Sequence, residues 1–166
     1  MHVLLMGPPG SGRRTQTLCL AGCLGLTPIT WTDLNAEALG HRALERAVVT
    51  GGFVLSGYPR TIAEADALDG MLRDHGVALD AVIALNVSPN LRLYRLARED
   101  SDRRSELSER QSTYTTRTVP VLRYYRDRGL LDAVDGVGSV ADVTLRLAAC
   151  LHARRYEHMY LSAVGG

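Results

Sequence analysis

Apolar residues along this chain gather into short unbroken runs, each stopped by glycine, proline or a small polar residue. Val3 to Met6 runs into Gly7; Phe53 to Ser56 follows Gly51 and Gly52 and ends at Gly57; Ala81 to Val87 ends at Ser88 and Pro89; Leu130 to Val134 ends at Asp135 and Gly136. Runs without polar alternation are what a parallel strand buried on both faces requires. A weaker strand candidate lies around Ile29 and Thr30, and helix-like stretches fill the intervals at 13–24, 34–49, 61–75, 90–98, 103–128 and 139–152. Strand and helix alternating throughout predicts an α/β protein, a parallel sheet covered by helices on both faces. In the longest helical stretch Leu107, Gln111, Tyr114, Thr118, Val121 and Tyr125 share one stripe, and Pro120 should bend it or split it in two. No repeat, low-complexity tract or linker interrupts the pattern, which predicts a single domain over residues 1–166.

The first strand feeds directly into Gly7-Pro8-Pro9-Gly10-Ser11-Gly12-Arg13-Arg14-Thr15, which opens the first helix. A glycine-rich turn between strand and helix is where a phosphate loop must stand. Its glycines let successive backbone N–H groups turn inward, and the helix N-terminus adds a favourable dipole. In such a loop Thr15 would present the hydroxyl that holds Mg²⁺ beside the phosphates. Arg13 occupies the position of the motif's lysine, keeping the charge but exchanging a compact ammonium for a planar fork. Arg14 puts bulk where a glycine is usual.

Composition narrows the partners. With 46% hydrophobic residues the chain can build one core, and a formal net charge of +1 with interspersed signs lacks the basic face of a nucleic-acid binder. All 19 basic residues are arginine. Cys19, Cys23 and Cys150 show neither disulfide nor zinc spacing and are expected to be small buried hydrophobes, with His152 and His158 at the surface. The apolar start is too short for a signal segment or a membrane span, so the expected location is cytoplasmic.

Beyond the loop, three segments carry a family resemblance. GFVLSGYPRT at 52–61 is similar to the GFLLDGFPRT segment of adenylate kinases and related nucleoside monophosphate kinases. LDAVIALNVSPNLRLYRLAR resembles the family's strand and helix leading to the lid, and the stretch 110–145 resembles its C-terminal helices, last strand and adenine-proximal loop. The resemblance implies a parallel five-stranded core of the P-loop NTPase type, ATP on the phosphate loop, Mg²⁺, and AMP or another nucleoside monophosphate opposite. It assigns Gly7, Gly10, Gly12 and Thr15 to the phosphate loop, Arg60 to the acceptor's phosphate, and Arg95 to the base of the lid near ATP.

The chain also departs from the family. Ser56 stands in place of the acid that orients the magnesium water shell, Ala36 in place of an acceptor-binding arginine, and Glu64 in place of a glutamine that reads the acceptor base. The lid is reduced to SDRRSELSERQ, and the acceptor-binding segment between Asp33 and Gly51 is shortened. Glu99 and Ser108 fall at positions of catalytic arginines, with Arg98, Arg103, Arg104 or Arg110 as substitutes if the register slips. Three readings stay open on the sequence. One is a reduced nucleoside monophosphate kinase, with Arg13, Arg95 and an arginine from 98–110 on the transferring phosphoryl group and Arg60 on the acceptor. The others are a non-catalytic nucleotide-binding sensor or partner subunit, and a kinase of another small molecule.

Overall fold

A strand in which no residue reaches water has to be covered on both faces, and His2–Met6 (β1) is such a strand. The structure, a computed structural model, describes residues 1–30, 37–97 and 104–164. Here β1 lies at the centre of a sheet with Thr27–Thr30 (β2), Phe53–Ser56 (β3), Ala81–Asn86 (β4) and Leu131–Asp135 (β5), in the order β2-β3-β1-β4-β5. All four pairings are parallel, with Leu5 opposite both Ser56 and Ile83.

Alternate side chains of β1 enter two separate cores. Leu4 and Met6 pack with Phe53, Leu55 and Val82 beneath Glu37–Val49 (α2), Ile62–Asp74 (α3) and Val119–Arg126 (α6), through Leu44, Leu68, Leu72, Val121 and Tyr125. Val3 and Leu5 face Arg13–Leu24 (α1) and Val140–Val164 (α7), through Leu20, Ala21, Val143, Leu147 and Leu151. A fully buried leucine contributes roughly 1.5–3 kcal/mol by leaving water, so the two layers supply the main drive for the sheet. A buried polar clamp joins α1 to α7: Gln16 donates to the Val140 carbonyl at 3.0 Å and accepts from the Thr144 hydroxyl at 2.8 Å.

The expected elements are present, with differences that have local causes. The stretch 103–128 resolves into Arg104–Thr113 (α5), a π-helical turn at Tyr114–Thr118, and α6 with Pro120 in its first turn. Proline has no N–H to give to the ladder, and the π-helical turn stands just before it, the Val119 N–H donating five residues back to the Tyr114 carbonyl. The last helix continues well past residue 152, to Val164. Its extension is anchored where Arg154 donates to Asp132 at 2.7 Å and to the Gly129 carbonyl at 3.0 Å, and no glycine or proline intervenes to stop it. The cysteines are not the buried hydrophobes expected: Cys23 is exposed, and Cys19 and Cys150 are half-buried. Cys23 lies in the last turn of α1, beyond the buried positions Gln16, Thr17, Leu20 and Ala21. His152 is exposed, as expected.

On the α3–α6 seam, Tyr124 donates to Asp66 at 3.1 Å and to Asp69 at 2.9 Å, and Tyr125 donates to Asp69 at 3.2 Å. Burial and the Asp69 carboxylate push the Tyr124 phenol up to about 12, and the same causes raise Tyr125 further. Both folded values exceed the unfolded ~10, so the stability they contribute is complete below pH ~10 and is lost as pH rises through 12. The chain has no lysine to titrate in that window. Thermal unfolding followed against pH should therefore show a melting temperature that falls above pH ~10. Tyr124→Phe with Tyr125→Phe should lower stability at neutral pH by ~1 kcal/mol per lost hydrogen bond and flatten the alkaline fall. An unchanged alkaline slope in the double variant would refute the assignment.

Candidate active site

The loop Gly7–Thr15 leaves the carboxyl end of β1 beside β4, the two adjacent strands whose connections run to opposite edges of the sheet. Ligands of open α/β sheets sit in the crevice at such a switch point. Gly7, at φ +150°, is tightly enclosed: a Cβ there would come within 2.8 Å of the Ser11 hydroxyl and 3.0 Å of the Leu85 carbonyl. Gly12 precedes α1 at φ +91°, and no side chain caps the helix. The N–H groups of its first turn are thus left for an external acceptor. The Ser11 hydroxyl is buried without a hydrogen-bond partner. Pro8, Pro9 and Gly10 are half-buried along the loop, and Arg14 and Thr15 are exposed. Uncapped amides, an orphaned hydroxyl and three glycines at positive φ, Gly7, Gly10 and Gly12, fit a phosphate chain.

Arg95, near the end of Pro89–Ala97 (α4), bridges two loops. It donates to the Ser11 carbonyl at 3.3 Å and to the Gly136 carbonyl, just after β5, at 3.1 Å. This places its guanidinium across the mouth of the phosphate loop, where a Cβ on Gly12 would lie 3.7 Å from it. Arg13 is half-buried, and burial lowers the pKa of its guanidinium; the Tyr114 hydroxyl opposes that shift and the like charge of Arg60 adds to it. An arginine stays charged in a protein regardless. Arg13 and Arg60, 47 residues apart, are therefore electrostatic neighbours. Tyr114, in the π-helical turn, has its phenol pushed up by burial and pulled back by Arg13 and Arg92.

The Arg60 segment is held by a helix-start device. Thr61 caps α3 by accepting from the Glu64 N–H, while the Glu64 carboxylate turns back to accept from the Arg60 N–H at 2.6 Å. Arg60 Nε in turn donates to the Gly57 carbonyl at 3.0 Å. Glu64 thus spends its carboxylate on the backbone that carries Arg60. Ser56 is buried at the end of β3, next to Leu5, with no acid in its place. For Mg²⁺, Thr15 offers a suitable oxygen; the remaining ligands would be phosphate oxygens and water, as is usual for this ion. Among the described residues no cluster of three acidic, histidine or cysteine side chains could hold a metal without the nucleotide. Asp33, Ala36, Arg98, Glu99 and Arg103 lie outside the described residues, as do the side chains of Arg104, Leu107, Ser108 and His158.

A family model described as adenylate kinase matches residues 33–130. The adenylate kinase of Xanthomonas campestris pv. campestris (strain B100) is 37% identical over 186 aligned positions, taking in 91% of this chain and 99% of that protein. Those of Stenotrophomonas maltophilia (strain R551-3) and Xanthomonas oryzae pv. oryzae (strain MAFF 311018) are 36% identical with the same coverage. The chain belongs to the adenylate kinase family. The aligned stretch is longer than this 166-residue chain, so these adenylate kinases carry segments with no counterpart here.

Sequence reasoning did not find Arg92, Gln111 or the polar face of Tyr114. The available signal was spacing: Arg92 and Arg95 stand three apart on one helix, and Gln111 and Tyr114 stand three apart in the helical stretch that follows. ADP at about a hundredfold excess over its dissociation constant should stabilise the chain by ~2.7 kcal/mol. For a chain of this size that is a rise of roughly 5–10 °C in melting temperature. Gly12→Val forces a branched residue into the left-handed region against Arg95 and should abolish the shift. A melting curve of the unaltered protein that ADP and ATP leave in place at millimolar concentration would remove the nucleotide site altogether.

Proposed function

We propose that the chain works as one adenylate-kinase-like domain over residues 1–166 that transfers the terminal phosphoryl group of ATP to AMP, reversibly. The observation that supports the residue roles is the phosphate loop itself, with the first turn of α1 uncapped, the Ser11 hydroxyl unpartnered and Arg95 bonded to the Ser11 carbonyl, while the charge of Arg60 is felt at Arg13. Phosphoryl transfer asks for little beyond positioning and neutralisation of charge, and arginines on the phosphate loop and on the segment after β3 can serve the two ends of the reaction. In this reading the loop amides and Arg13 hold the donor phosphates, with Arg95 beside them. Thr15 contributes to Mg²⁺, and Arg60 grips the acceptor phosphate. An acceptor phosphate oxygen attacks the γ-phosphorus while the bond to the β-phosphate oxygen breaks, giving two ADP. The relatives lend no support to a binding-only protein or to a kinase of an unrelated small molecule.

A cytoplasmic setting is part of this reading, and among the described residues no helix is long and apolar enough to cross a membrane. The short lid has a kinetic consequence, since closure both completes the cationic site and excludes water. A coupled assay of ADP formation should show AMP-dependent turnover slower than that of the longer relatives, with AMP-independent ATP hydrolysis a comparable fraction of the flux. Arg60→Ala should raise KM for AMP by roughly tenfold or more through loss of a charge-assisted contact, leaving KM for ATP nearly unchanged. Turnover indifferent to every monophosphate offered would defeat the assignment.

A further inference from the structure

We propose that Arg92 is a further phosphate-binding residue of this site, a charged donor to the nucleotide's phosphate chain supplied by α4. The inference rests on the adenylate-kinase reading above. Arg92 and Arg95 are one turn apart on α4, so they share a face of the helix. Arg95 shows where that face points, because it reaches the Ser11 carbonyl of the phosphate loop.

Three features distinguish Arg92 from a surface arginine. Its Nη1 donates to Gln111 Oε1 at 2.7 Å, which holds the guanidinium across the gap between α4 and α5. Its Nε is buried with no hydrogen-bond partner. A buried donor left unmade is costly, and a charged one more so, unless a ligand completes it. Finally, the charges of Arg92 and Arg13 both act on the Tyr114 phenol, each working against the upward push of its burial.

Neither Arg13, Arg92 nor Arg95 forms an ion pair among the described residues. The neighbouring partners are a carbonyl pair, an amide and a phenol, all of them uncharged. Cationic side chains gathered without a carboxylate are complementary to a multiply charged anion, and a di- or triphosphate has that chemistry. Helix α4, whose Arg95 already reaches the phosphate loop, supplies such a donor in Arg92.

Inorganic tripolyphosphate isolates this contact from base recognition, and its binding can be measured by calorimetry beside that of ADP and the steady-state kinetics. Arg92→Met should weaken tripolyphosphate and ADP by roughly tenfold or more, the loss expected of one charge-assisted hydrogen bond. Its ligand-free melting temperature would check that it folds. Arg92→Lys should recover part of the affinity. Gln111→Leu, which keeps the charge but removes its tether, should lose several-fold and raise KM for ATP. A role confined to joining α4 and α5 would instead lower the melting temperature of Arg92→Met and Gln111→Leu alike, with tripolyphosphate affinity unchanged in the folded variants, and that result overturns the proposal. Should Arg92→Met not fold, wild-type affinity in both Arg92→Lys and Gln111→Leu overturns it equally. Failure of the unaltered protein to bind ADP would instead sink the kinase reading, whereas ADP binding indifferent to Arg92 sinks this inference alone.

Discussion

Everything at the site hangs from the double-sided burial of β1. Because His2–Met6 has no face toward water, one helix layer must cover Leu4 and Met6 and another Val3 and Leu5. The chain therefore crosses back and forth over the sheet, and the strand beside β1 on each side is reached by a separate crossover. β1 and β4 end side by side and launch α1 and α4 from adjacent points. That adjacency sets the phosphate loop against the Leu85 carbonyl and brings α4's arginines over it.

What the scaffold assembles there is a group of arginines, of which Arg13, Arg92 and Arg95 form no ion pair among the described residues. Arg13 comes from the loop, Arg60 from the segment after β3, and Arg92 and Arg95 from α4. The like charge of Arg60 acts on Arg13, and the other arginines have uncharged partners: the Ser11 and Gly136 carbonyls for Arg95 and Gln111 for Arg92. A phosphate chain is the complementary anion for such a group, and it would complete the Arg92 Nε that is buried without a partner. A guanidinium suits this better than an ammonium, being less strongly hydrated and able to donate along two edges.

Precision comes from the surrounding packing. The Glu64 carboxylate holds the backbone N–H of Arg60, and Gln16 ties the phosphate helix to α7 through a buried amide. The π-helical turn before Pro120 rotates Tyr114 relative to the helix that follows, and Tyr124 and Tyr125 on that helix lock it to α3 through Asp69. These contacts rigidify the two walls between which the substrates must align.

The sequence by itself determined the alternation of strands and helices, the parallel sheet and the phosphate loop. Each is written in local terms: unbroken apolar runs, glycines at a strand end, the next helix beginning at once. The GFVLSGYPRT segment likewise pointed to Arg60. Only the tertiary structure decided what depends on which surfaces meet. Arg92 looked like any other arginine in a chain with 19 of them, until α5 placed Gln111 against it and left its Nε buried. Glu64 stood where the family reads a base, yet here the start of α3 turns its carboxylate onto the backbone of Arg60. The last helix outran its apolar pattern because Arg154 found Asp132 on a strand 22 residues away, and Cys23 stayed exposed because its turn lies past the packed face of α1. In each case the deciding partner is distant in sequence, and a side chain's role follows from the partner rather than from its own identity.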